Sequence, residues 1–335
     1  MSDCDMKVCI YGAGAIGGFI GTRLAAAGGC EVSAVARGAT LQALREHGWR
    51  LRRQGVLLQA PAVAAEDPRE LGLMDLVVVA VKAPALAEVA PGIAALLGPD
   101  TVVLPAMNGV PWWFVQSLPV LGDAPLRSVD PEGRIGSHIA LANVVGCVVH
   151  ASTFTPEPGL VEQRMGQGLI IGEPAGGEST RVQRLAELLR RAGFDTTLSS
   201  NIRQDVWYKL WGNMTINPVS ALTGASVDRI LDDPLVLAFC SAAMREAAQI
   251  GARIGCAVAQ SPEDRHAVTR KLGAFRTSMQ NDVDAGRPIE LDALVTVVRE
   301  IAQRLHIATP HIDALLGLTR LFARVRGLYP EAAAS

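Results

Sequence analysis

A glycine-rich turn near the start of the chain constrains the fold more than any other feature. The segment "IYGAGAIGG" places Gly12, Gly14 and Gly17 in a GxGxxG pattern, directly after the apolar run 6–11 and directly before the helical composition of 15–28. In that context the first glycine permits a tight turn, the second lets a pyrophosphate approach the backbone, and the third allows close packing of helix on strand. The pattern predicts a dinucleotide site with the phosphates at the helix N-terminus.

Strands and helices continue to alternate beyond this turn. Apolar segments at 30–36, 75–81 and 101–106 read as buried strands, and "TLQALREHG" and "PALAEVAPGIAALLG" read as helices. Continuous Val and Leu strands separated by helices indicate a parallel sheet covered on both faces. From 144 to 173, valine-rich pieces broken by Pro and Gly suggest antiparallel or mixed strands that complete this sheet. A helix at about 178–193 and a strand "FDTTLS" close this half of the chain.

Strand signals disappear after residue 200, and a chain of 335 residues suits two domains. The composition predicts helices over five segments: 202–216, 234–255, 261–284, 290–306 and 311–326. We therefore expect an α/β protein in which a Rossmann-type doubly wound sheet, residues 1–200, binds the nucleotide. An all-helical C-terminal domain, residues 201–335, is expected to bind the substrate and carry the catalytic residues.

Composition excludes several classes of partner. The 31 Lys and Arg residues nearly balance the 33 Asp and Glu residues, and no basic run supplies the electrostatic footprint of nucleic-acid or anionic-membrane binding. No segment has the roughly 18 consecutive apolar residues of a membrane span, the N-terminus shows no secretion signal, and the histidines form no metal-ligand spacing. The six cysteines lack a Cys-x-x-Cys pair and are expected to be reduced and mostly buried. We expect a cytosolic protein with a small-molecule partner.

The end of the second strand distinguishes between two nicotinamide cofactors. An NAD site usually carries Asp or Glu there for the ribose 2′-hydroxyl, whereas "AVARG" carries Arg37. A planar, permanently charged guanidinium suits a 2′-phosphate, so the pattern favours NADP, with a solvated Arg as the alternative. Lys82 and Asn108 follow the strands "LVVVAV" and "TVVLPA". Ligands of open α/β sheets bind at that edge, which makes both residues site candidates, although each is also an ordinary loop residue.

One helix of the second half carries a narrow polar stripe. In "DVWYKLWGNMTINP", Lys209, Asn213 and Asn217 are four residues apart and fall within about 80° of one another on a helix. The stripe lacks the Glu and Lys pairs of an ordinary exposed face, which favours a cleft lining over a solvent face. In the alternative, Asn217 only caps a helix that begins at Pro218. A cationic donor at the oxygen of a ketone under reduction would stabilise the alkoxide and supply its proton, and lysine can do both.

Together these segments resemble one family. GxGxxG with Arg37, "VKA" around Lys82, "NG" at Asn108 and "WYKLWGNMTINP" are similar to the 2-dehydropantoate 2-reductases, or ketopantoate reductases, which make pantoate with NADPH in pantothenate biosynthesis. The resemblance covers nearly the whole chain. It is most specific at a lysine followed by asparagines at the fourth and eighth positions and then by proline. "TSM" at 277–279 and "IELD" at 289–292 match the family's serine and glutamate motifs.

The resemblance implies a role for each matching substrate residue. Lys209 would be the general acid that protonates the carbonyl oxygen as hydride arrives. Glu290 would hold the substrate's hydroxyl and help position Lys209, although a carboxylate near a helix start is also favoured by the helix dipole alone. Asn213 and Asn217 would bind polar groups of the substrate. Ser278 would bind its carboxylate, although a serine in a long helix usually needs no explanation.

The resemblance also implies a set of cofactor residues. Asn108 and Lys82 would lie where the nicotinamide end meets the substrate, so Asn108 serves both ligands. NADP(H) would be bound by the turn, by Arg37 and by these two residues: Gly12, Ala13, Gly14, Ala15, Ile16, Gly17, Arg37, Lys82 and Asn108.

Two departures from the family pattern leave the substrate open. The family commonly continues the glutamate motif with an Asn-Gly pair, where this chain has Val295 and Thr296. The connection 121–143 is longer than in compact members, which suggests a lid or an added contact surface. Either departure fits a paralogue that reduces another small 2-keto or imino acid. A non-catalytic NADP-binding sensor is the third hypothesis, since fold does not imply function, and the helical half offers a face for a homodimer.

Overall fold

The protein divides into two compact units. The computed structural model describes residues 6–122 and 124–331. One unit comprises Met1–Phe114 with Gly133–Asp205, and the other comprises Val115–Glu132 with Val206–Ser335. We call them the sheet unit and the helical unit. The division differs from the sequence-based boundary at residue 200 because Val115–Glu132 clusters with the helical unit.

The sheet unit contains ten strands and four complete helices within the described residues. Its elements, in chain order, are β1 (Lys7–Tyr11), α1 (Ala15–Ala27), β2 (Glu31–Val35), α2 (Gly38–His47), β3 (Trp49–Arg53), β4 (Val56–Ala60), β5 (Val63–Ala65), β6 (Met74–Val79), α3 (Ala83–Ala94), β7 (Leu97–Pro105), β8 (Gly146–Glu157), β9 (Leu160–Gly172), α4 (Thr180–Arg191) and β10 (Asp195–Leu198).

The first sheet has the order β5-β2-β1-β6-β7, and all of its pairs are parallel. Its registers pair Tyr11 with Val35 and with Val79, and Val79 with Pro105. The carboxyl ends of four strands therefore meet at one edge. The predicted Rossmann-type parallel sheet is confirmed.

A second sheet corrects the expectation for residues 144–173. Val144 forms a single parallel bridge with Val103 on β7, but β8 and β9 join a second sheet of order β10-β9-β3-β4, with β8 antiparallel to β9. The hairpin of β3 and β4 was not predicted, since its segment "WRLRRQGVLLQA" mixes charges with apolar residues and lacks a clean alternation. β9 pairs with β3, which lies far from it in sequence. Because β3 was not predicted, the sequence did not indicate a second sheet for β9 to join.

Helix α1 is the common core element of the sheet unit. It is apolar on nearly every side, and it contacts β1 and β2 of the first sheet as well as β3, β4, β8 and β9 of the second. A β-carbon on Gly21 would lie 2.6 Å from the indole of Trp49, so glycine lets the helix approach β3 closely. Phe19 packs edge-on against Phe194 at 5.3 Å. A helix that is hydrophobic all round belongs in an interior, which is where this one lies.

The helical unit is built around a long central helix. Its elements are α5 (Ile202–Thr223, whose first four residues cluster with the sheet unit), α6 (Val227–Asp232), α7 (Pro234–Arg253), α8 (Pro262–Arg270), α9 (Ser278–Asp284), a π-helical turn (Asp292–Thr296), α10 (Val297–Arg304) and α11 (Pro310–Val325). By length and apolar composition alone α7 could cross a membrane, but core helices pass the same test, and α7 buries Cys240, Met244 and Ile250 in this unit. The predicted all-helical second half is confirmed.

Two predicted helix boundaries in this unit are wrong. Helix α5 does not end at residue 216 but continues through Pro218 to Thr223. Every residue from Met214 to Ala221 is buried, and this packing outweighs the backbone hydrogen bond that proline cannot donate. The segment 261–284 is two helices, since the chain breaks near Gly273 and restarts at Thr277, whose side chain caps α9.

The described cysteines match the expectation of reduced thiols. Cys9, Cys147, Cys240 and Cys256 are buried and Cys30 is half-buried, and none of these five forms a disulfide. Burial raises the pKa of the Cys9 thiol to about 12 and that of Cys240 to about 11, so both are neutral and unreactive at physiological pH. Cys4 lies outside the described residues.

Candidate functional site

The turn between β1 and α1 can be made only with glycine at two of its three motif positions. Gly12 has φ +96°, and a β-carbon there would lie 2.8 Å from the Val81 side chain. A β-carbon on Gly17 would overlap the carbonyl oxygen of Gly12. A β-carbon on Gly14, in contrast, would meet nothing within 4 Å. Gly12 and Gly17 thus serve the fold, while the open space beside Gly14 is suited to a bound group.

The start of α1 offers backbone donors at the same place. Gly14 is the N-cap residue and has no side chain with which to cap the helix. Its carbonyl accepts from Gly18 N–H at 2.7 Å, but the first N–H groups of a helix have no partner within the helix. Such a helix start binds anions through its N–H groups and its dipole. The turn residues 12–17 therefore fit a pyrophosphate.

The other cofactor residues predicted from the sequence lie at the same edge of the sheet. Arg37 lies two residues after β2, at the N-cap position of α2, and Lys82 lies three residues after β6, at the N-cap position of α3. Asn108 lies three residues after β7. Backbone hydrogen bonds tie these strand ends to one another: Gly12 N–H to Val35 O at 3.0 Å, Ala80 N–H to Tyr11 O at 2.9 Å, and Ala106 N–H to Val79 O at 2.9 Å. The structure thus brings the turn, Arg37, Lys82 and Asn108 together on one unit.

Arg37 is accessible to a ligand. Its side chain is 65% exposed and its Nη1 lies 3.5 Å from Oε1 of Glu88, whose side chain is 73% exposed. A long, exposed ion pair of this kind contributes little free energy. The guanidinium can therefore exchange Glu88 for a phosphate at small cost.

In the helical unit, α5 presents one accessible face. The residues of α5 between 205 and 213 that are not fully buried follow helical spacing: Asp205, Tyr208, Lys209, Gly212 and Asn213. On the opposite face, the side chains of Trp207, Leu210, Trp211 and Met214 are at most 2% exposed. Nε1 of Trp211 donates to Met244 O on α7 at 2.7 Å. The apolar residues therefore anchor α5 and fix the direction in which the polar stripe points.

The two asparagines of the stripe have polar groups to offer. Asn217 is only 6% exposed and Asn213 is half-buried, yet no described residue forms a hydrogen bond with either side-chain amide. Buried amides normally have protein or water partners. Because Asn217 lies in the helix interior, the alternative in which it only caps a helix beginning at Pro218 is wrong.

The serine motif is fixed to the C-terminal half of α5. The hydroxyls of Thr277 and Ser220 lie 2.5 Å apart, and Gln280 Nε2 donates to Gly224 O at 2.6 Å. Ser278 is exposed and is the first residue of the short helix α9, not a residue inside a long helix. These contacts hold α9, and Ser278 at its start, beside the end of α5.

Glu290 lies two residues before a π-helical turn. Ile289 N–H donates to Leu328 O at 3.1 Å, and Tyr329 OH donates to Asp292 Oδ1 at 2.6 Å. The segment 328–329 therefore holds residues 289–292 in place. Asp292–Thr296 forms a π-helical turn in which Val295 is fully buried. Single π-helical turns occur frequently at functional sites, and the sequence pattern did not predict this one.

One residue beside the stripe was missed by sequence reasoning. Arg265, on α8, extends its guanidinium over Gly212 and over the ring of Tyr208, both on the accessible face of α5. No periodicity or motif in "SPEDRHAVTR" marks this arginine, because its position depends on the packing of α8 against α5.

Part of the connection 121–143 is firmly held. The Glu300 carboxylate on α10 accepts from the N–H groups of Arg127 and Ser128 and from the Ser128 hydroxyl, at 2.6–2.9 Å. Arg304 donates to the carbonyls of Ala124 and Pro125 at 2.7 and 2.6 Å. These bonds argue against a mobile lid at 124–128 and favour a fixed contact surface.

Known families match both halves of the chain. Residues 8–176 match the family model described as "Ketopantoate reductase PanE/ApbA", and residues 201–323 match "Ketopantoate reductase PanE/ApbA C terminal". A 2-dehydropantoate 2-reductase of Mesorhizobium japonicum is 41% identical over 326 residues, which cover 97% of this chain and 100% of that protein.

Solved structures share the architecture. A protein described as a candidate ketopantoate reductase from Ralstonia solanacearum superposes with a TM-score of 0.93 at 55% identity, covering 97% of this chain and 99% of the other. A D-mandelate dehydrogenase solved with NADH and anilino(oxo)acetate has a TM-score of 0.82 at 20% identity, covering 96% of this chain and 100% of the other. At that identity the second likeness concerns the fold alone.

Proposed function

Because the chain belongs to the ketopantoate reductase family of oxidoreductases, we propose that it reduces 2-dehydropantoate to pantoate with NADPH. The observation that carries the proposal is the accessible face of α5. There a half-buried lysine shares one stripe with two asparagines whose amides have no hydrogen-bond partner among the described residues. A keto acid offers oxygen acceptors to the two amides and a carbonyl oxygen to the lysine.

Each residue of the stripe then has a chemical task. NADPH, when bound, supplies the hydride that adds to the C2 carbonyl carbon of the substrate. The Lys209 ammonium donates a hydrogen bond to the carbonyl oxygen, stabilises the negative charge that develops there and transfers its proton, which leaves a hydroxyl group and a neutral amine. Asn213, Asn217 and Ser278 orient the substrate. Glu290 binds the substrate's hydroxyl and helps to position Lys209.

The sheet unit is proposed to hold the cofactor. The pyrophosphate fits beside Gly14 at the start of α1, and Arg37 is suited to the 2′-phosphate that distinguishes NADPH from NADH. Lys82 and Asn108 are proposed to contact the nicotinamide end. The D-mandelate dehydrogenase of the same fold was solved with NADH, so the preference for NADPH depends on Arg37 and not on the architecture.

The deciding experiment is the oxidation of NADPH with 2-dehydropantoate, run beside NADH. We expect rapid turnover with NADPH and kcat/KM lower by about tenfold or more with NADH, since one charged contact is worth roughly that factor. If NADPH is consumed no faster than without substrate, the proposed activity is wrong. A rate that is equal with both cofactors would keep the reaction and remove the role of Arg37.

A second candidate is the reduction of a different small 2-keto or imino acid. Val295 and Thr296, which stand where the family commonly has an Asn-Gly pair, favour this candidate. Val295 is fully buried in the π-helical turn that follows Glu290, so the packing beside Glu290 differs from that of the family. A panel of 2-keto acids compared by kcat/KM decides, since specificity is a ratio of such values. A substrate that exceeds 2-dehydropantoate at least tenfold would replace it.

A third candidate function, a cellular location and an oligomeric state complete the proposal. The third candidate is a non-catalytic NADP sensor. Such a protein would bind NADPH but would not oxidise it, whichever 2-keto acid of the panel is added. We propose a cytoplasmic location and a homodimer. In the helical unit α11 leaves Leu318, Leu321 and Val325 exposed by 61%, 63% and 79%, which suits a subunit contact. Light scattering on a size-exclusion column measures the mass, and a monomer at micromolar concentration would contradict the dimer.

A further inference from the structure

The start of α8 fixes the position of Arg265. Ser261 and Asp264 form a reciprocal capping box, and Pro262 occupies the first helical position. "SPED" is therefore a strong helix start, which places Arg265 in the first turn of α8. A side chain on so well-defined a turn is aimed by the backbone and needs little further ordering.

The guanidinium packs on α5 against the ring of Tyr208 and against Gly212. Its Cζ is 4.9 Å from the centre of the Tyr208 ring, and Nη1 is 3.5 Å from the Tyr208 hydroxyl, which itself donates to Gln260 Oε1 at 2.7 Å. A β-carbon on Gly212 would lie 2.7 Å from Nε and 2.8 Å from Nη2. Glycine at position 212 is thus what allows the charge to rest on the accessible face of α5.

No described carboxylate neutralises Arg265. The two acids of the same turn are engaged elsewhere: Glu263 pairs with Arg245 at 2.6 Å, and Asp264 accepts from Ser261. Within the described residues, Nε of Arg265 is buried and has no hydrogen-bond partner. Partly buried arginines normally pair with an anion or a carbonyl, so an anionic ligand suits this guanidinium.

Arg265 packs on the turn of α5 that carries the proposed general acid. Gly212 is three residues after Lys209 on α5, and positions three apart on a helix are neighbours about 5–6 Å apart at Cβ. In a 2-keto acid the carboxylate is bonded directly to the keto carbon. A substrate whose keto oxygen reaches Lys209 therefore holds its carboxylate within one side-chain length of Arg265.

We propose that Arg265 binds the carboxylate of the 2-keto acid and so selects acids over uncharged ketones. The inference rests on the proposed function and adds a residue to it. A guanidinium fork matches a carboxylate with two parallel hydrogen bonds and supplies the positive charge that Ser278 lacks. Lys209 then remains available for the keto oxygen.

The test compares 2-dehydropantoate with its uncharged lactone in the full-length enzyme. In Arg265→Gln, we expect the KM for the acid to rise about 30-fold, because hydrogen bonds between charged groups are lost. The kcat for the acid and the KM for the lactone should stay within about threefold, and the Kd of NADPH should not change, since none of them depends on this contact.

A second variant moves the charge without removing it. Gly212→Ala favours helix by propensity and pushes the guanidinium away from α5, so it should keep the fold and still raise the KM for the acid about tenfold or more. Arg270→Gln, on the same helix, is the matched control. Arg270 pairs with Asp232 at the surface, and its replacement should leave both KM values unchanged.

The outcomes separate the two proposals. If the wild-type protein does not reduce 2-dehydropantoate, the proposed function fails before any variant is made. If the wild type is active and Arg265→Gln keeps the acid KM, or raises the KM of acid and lactone equally, the assignment of Arg265 is wrong and the proposed function stands. A lower melting temperature with unchanged KM values would show a structural role only, which also overturns the assignment.

Discussion

The proposed cofactor site at the β1–α1 turn and the proposed substrate site on the polar stripe of α5 are built by different means. In the turn, the backbone makes the site, because Gly12 and Gly17 give it its shape and Gly14 leaves it open. On α5, side chains make the site, and buried aromatic residues on the opposite face fix their direction. The turn is complete within a few residues of sequence. The stripe also depends on α8 and α9, which other parts of the chain supply.

This difference predicts different responses to mutation. A side chain added at Gly12 or Gly17 alters the backbone of the turn and should affect folding and cofactor binding together. Truncating a side chain of the stripe leaves α5 in place, because α5 packs through its opposite face. Such a change should affect turnover alone. The predictions that follow test this contrast, from the largest expected effect to the smallest.

Lys209→Ala is expected to lower kcat by about a thousandfold, in the range of general acid catalysis with loss of charge stabilisation. The Kd of NADPH, measured by fluorescence, should stay within twofold. Lys271→Ala, an exposed lysine after α8, is the control and should keep full activity. Full activity in Lys209→Ala would sink the assignment of the general acid.

A pair of glycine variants tests the backbone site. In Gly17→Ala the new methyl group overlaps Gly12, so we expect both a lower melting temperature and a loss of NADPH affinity of about a hundredfold or more. In Gly14→Ala the methyl group meets no protein atom, so the melting temperature should hold while NADPH affinity falls. Equal losses of stability in the two variants would contradict the distinction between the two glycines.

Arg37→Ala should change the choice of cofactor. The ratio of kcat/KM for NADPH over NADH is expected to fall about 10- to 100-fold, through a higher KM for NADPH, because charge-assisted hydrogen bonds to the 2′-phosphate are lost. Glu88→Gln, which removes the exposed partner of Arg37, should leave the ratio unchanged or slightly higher. An unchanged ratio in Arg37→Ala would mean that another group selects the cofactor.

Glu300→Gln should destabilise the helical unit by about 2 kcal/mol, since a charged acceptor of several hydrogen bonds becomes a neutral one. Burial raises the pKa of the Glu300 carboxyl, but hydrogen bonds from Ser128, Arg127 and Arg304 outweigh burial and hold the pKa below its usual value.

The sign of that shift gives a pH dependence. A carboxyl with a depressed pKa stabilises the fold above its unfolded pKa of about 4.3, and this stabilisation is lost as pH falls through the folded pKa. The difference in melting temperature between wild type and Glu300→Gln should therefore shrink as pH falls below about 4. Glu187→Gln, exposed on α4, is the control. A difference that is independent of pH would mean that the charge of Glu300 does not contribute.

Local patterns were sufficient for much of the sheet unit. β1, α1, β2 and β6 lie where the apolar runs and turn glycines predict, because a strand buried on both faces reads as a continuous apolar run. α3 and β7 also exist as predicted, but β7 begins at Leu97, inside the segment predicted as helix. β3 and β4 could not be predicted in this way, since Val56, Leu57 and Leu58 are at least 40% exposed and the strand lacks a buried face to mark it.

The helical content of the second unit was predicted correctly, but the residues at which some of its helices end were not. Helix α5 continues through Pro218 because the surrounding residues are buried, and burial depends on the neighbouring helices. The break before α9 depends on Thr277, whose hydroxyl caps α9 and contacts Ser220 on α5. The roles assigned to Ser278 and Glu290 stay predictions, and the kinetic experiments above test the site that includes them.

The sequence by itself determined the Rossmann turn, the arginine after β2 and the lysine stripe, because each depends on the spacing of residues within one segment. Only the tertiary structure decided that β8 and β9 build a second sheet, that residues 124–128 are fixed by Glu300 and Arg304, and that Arg265 lies over Gly212 and Tyr208. The physical reason is the range of the interactions. Backbone geometry and helical periodicity act over a few residues, whereas strand pairing and side-chain packing join residues that are far apart along the chain.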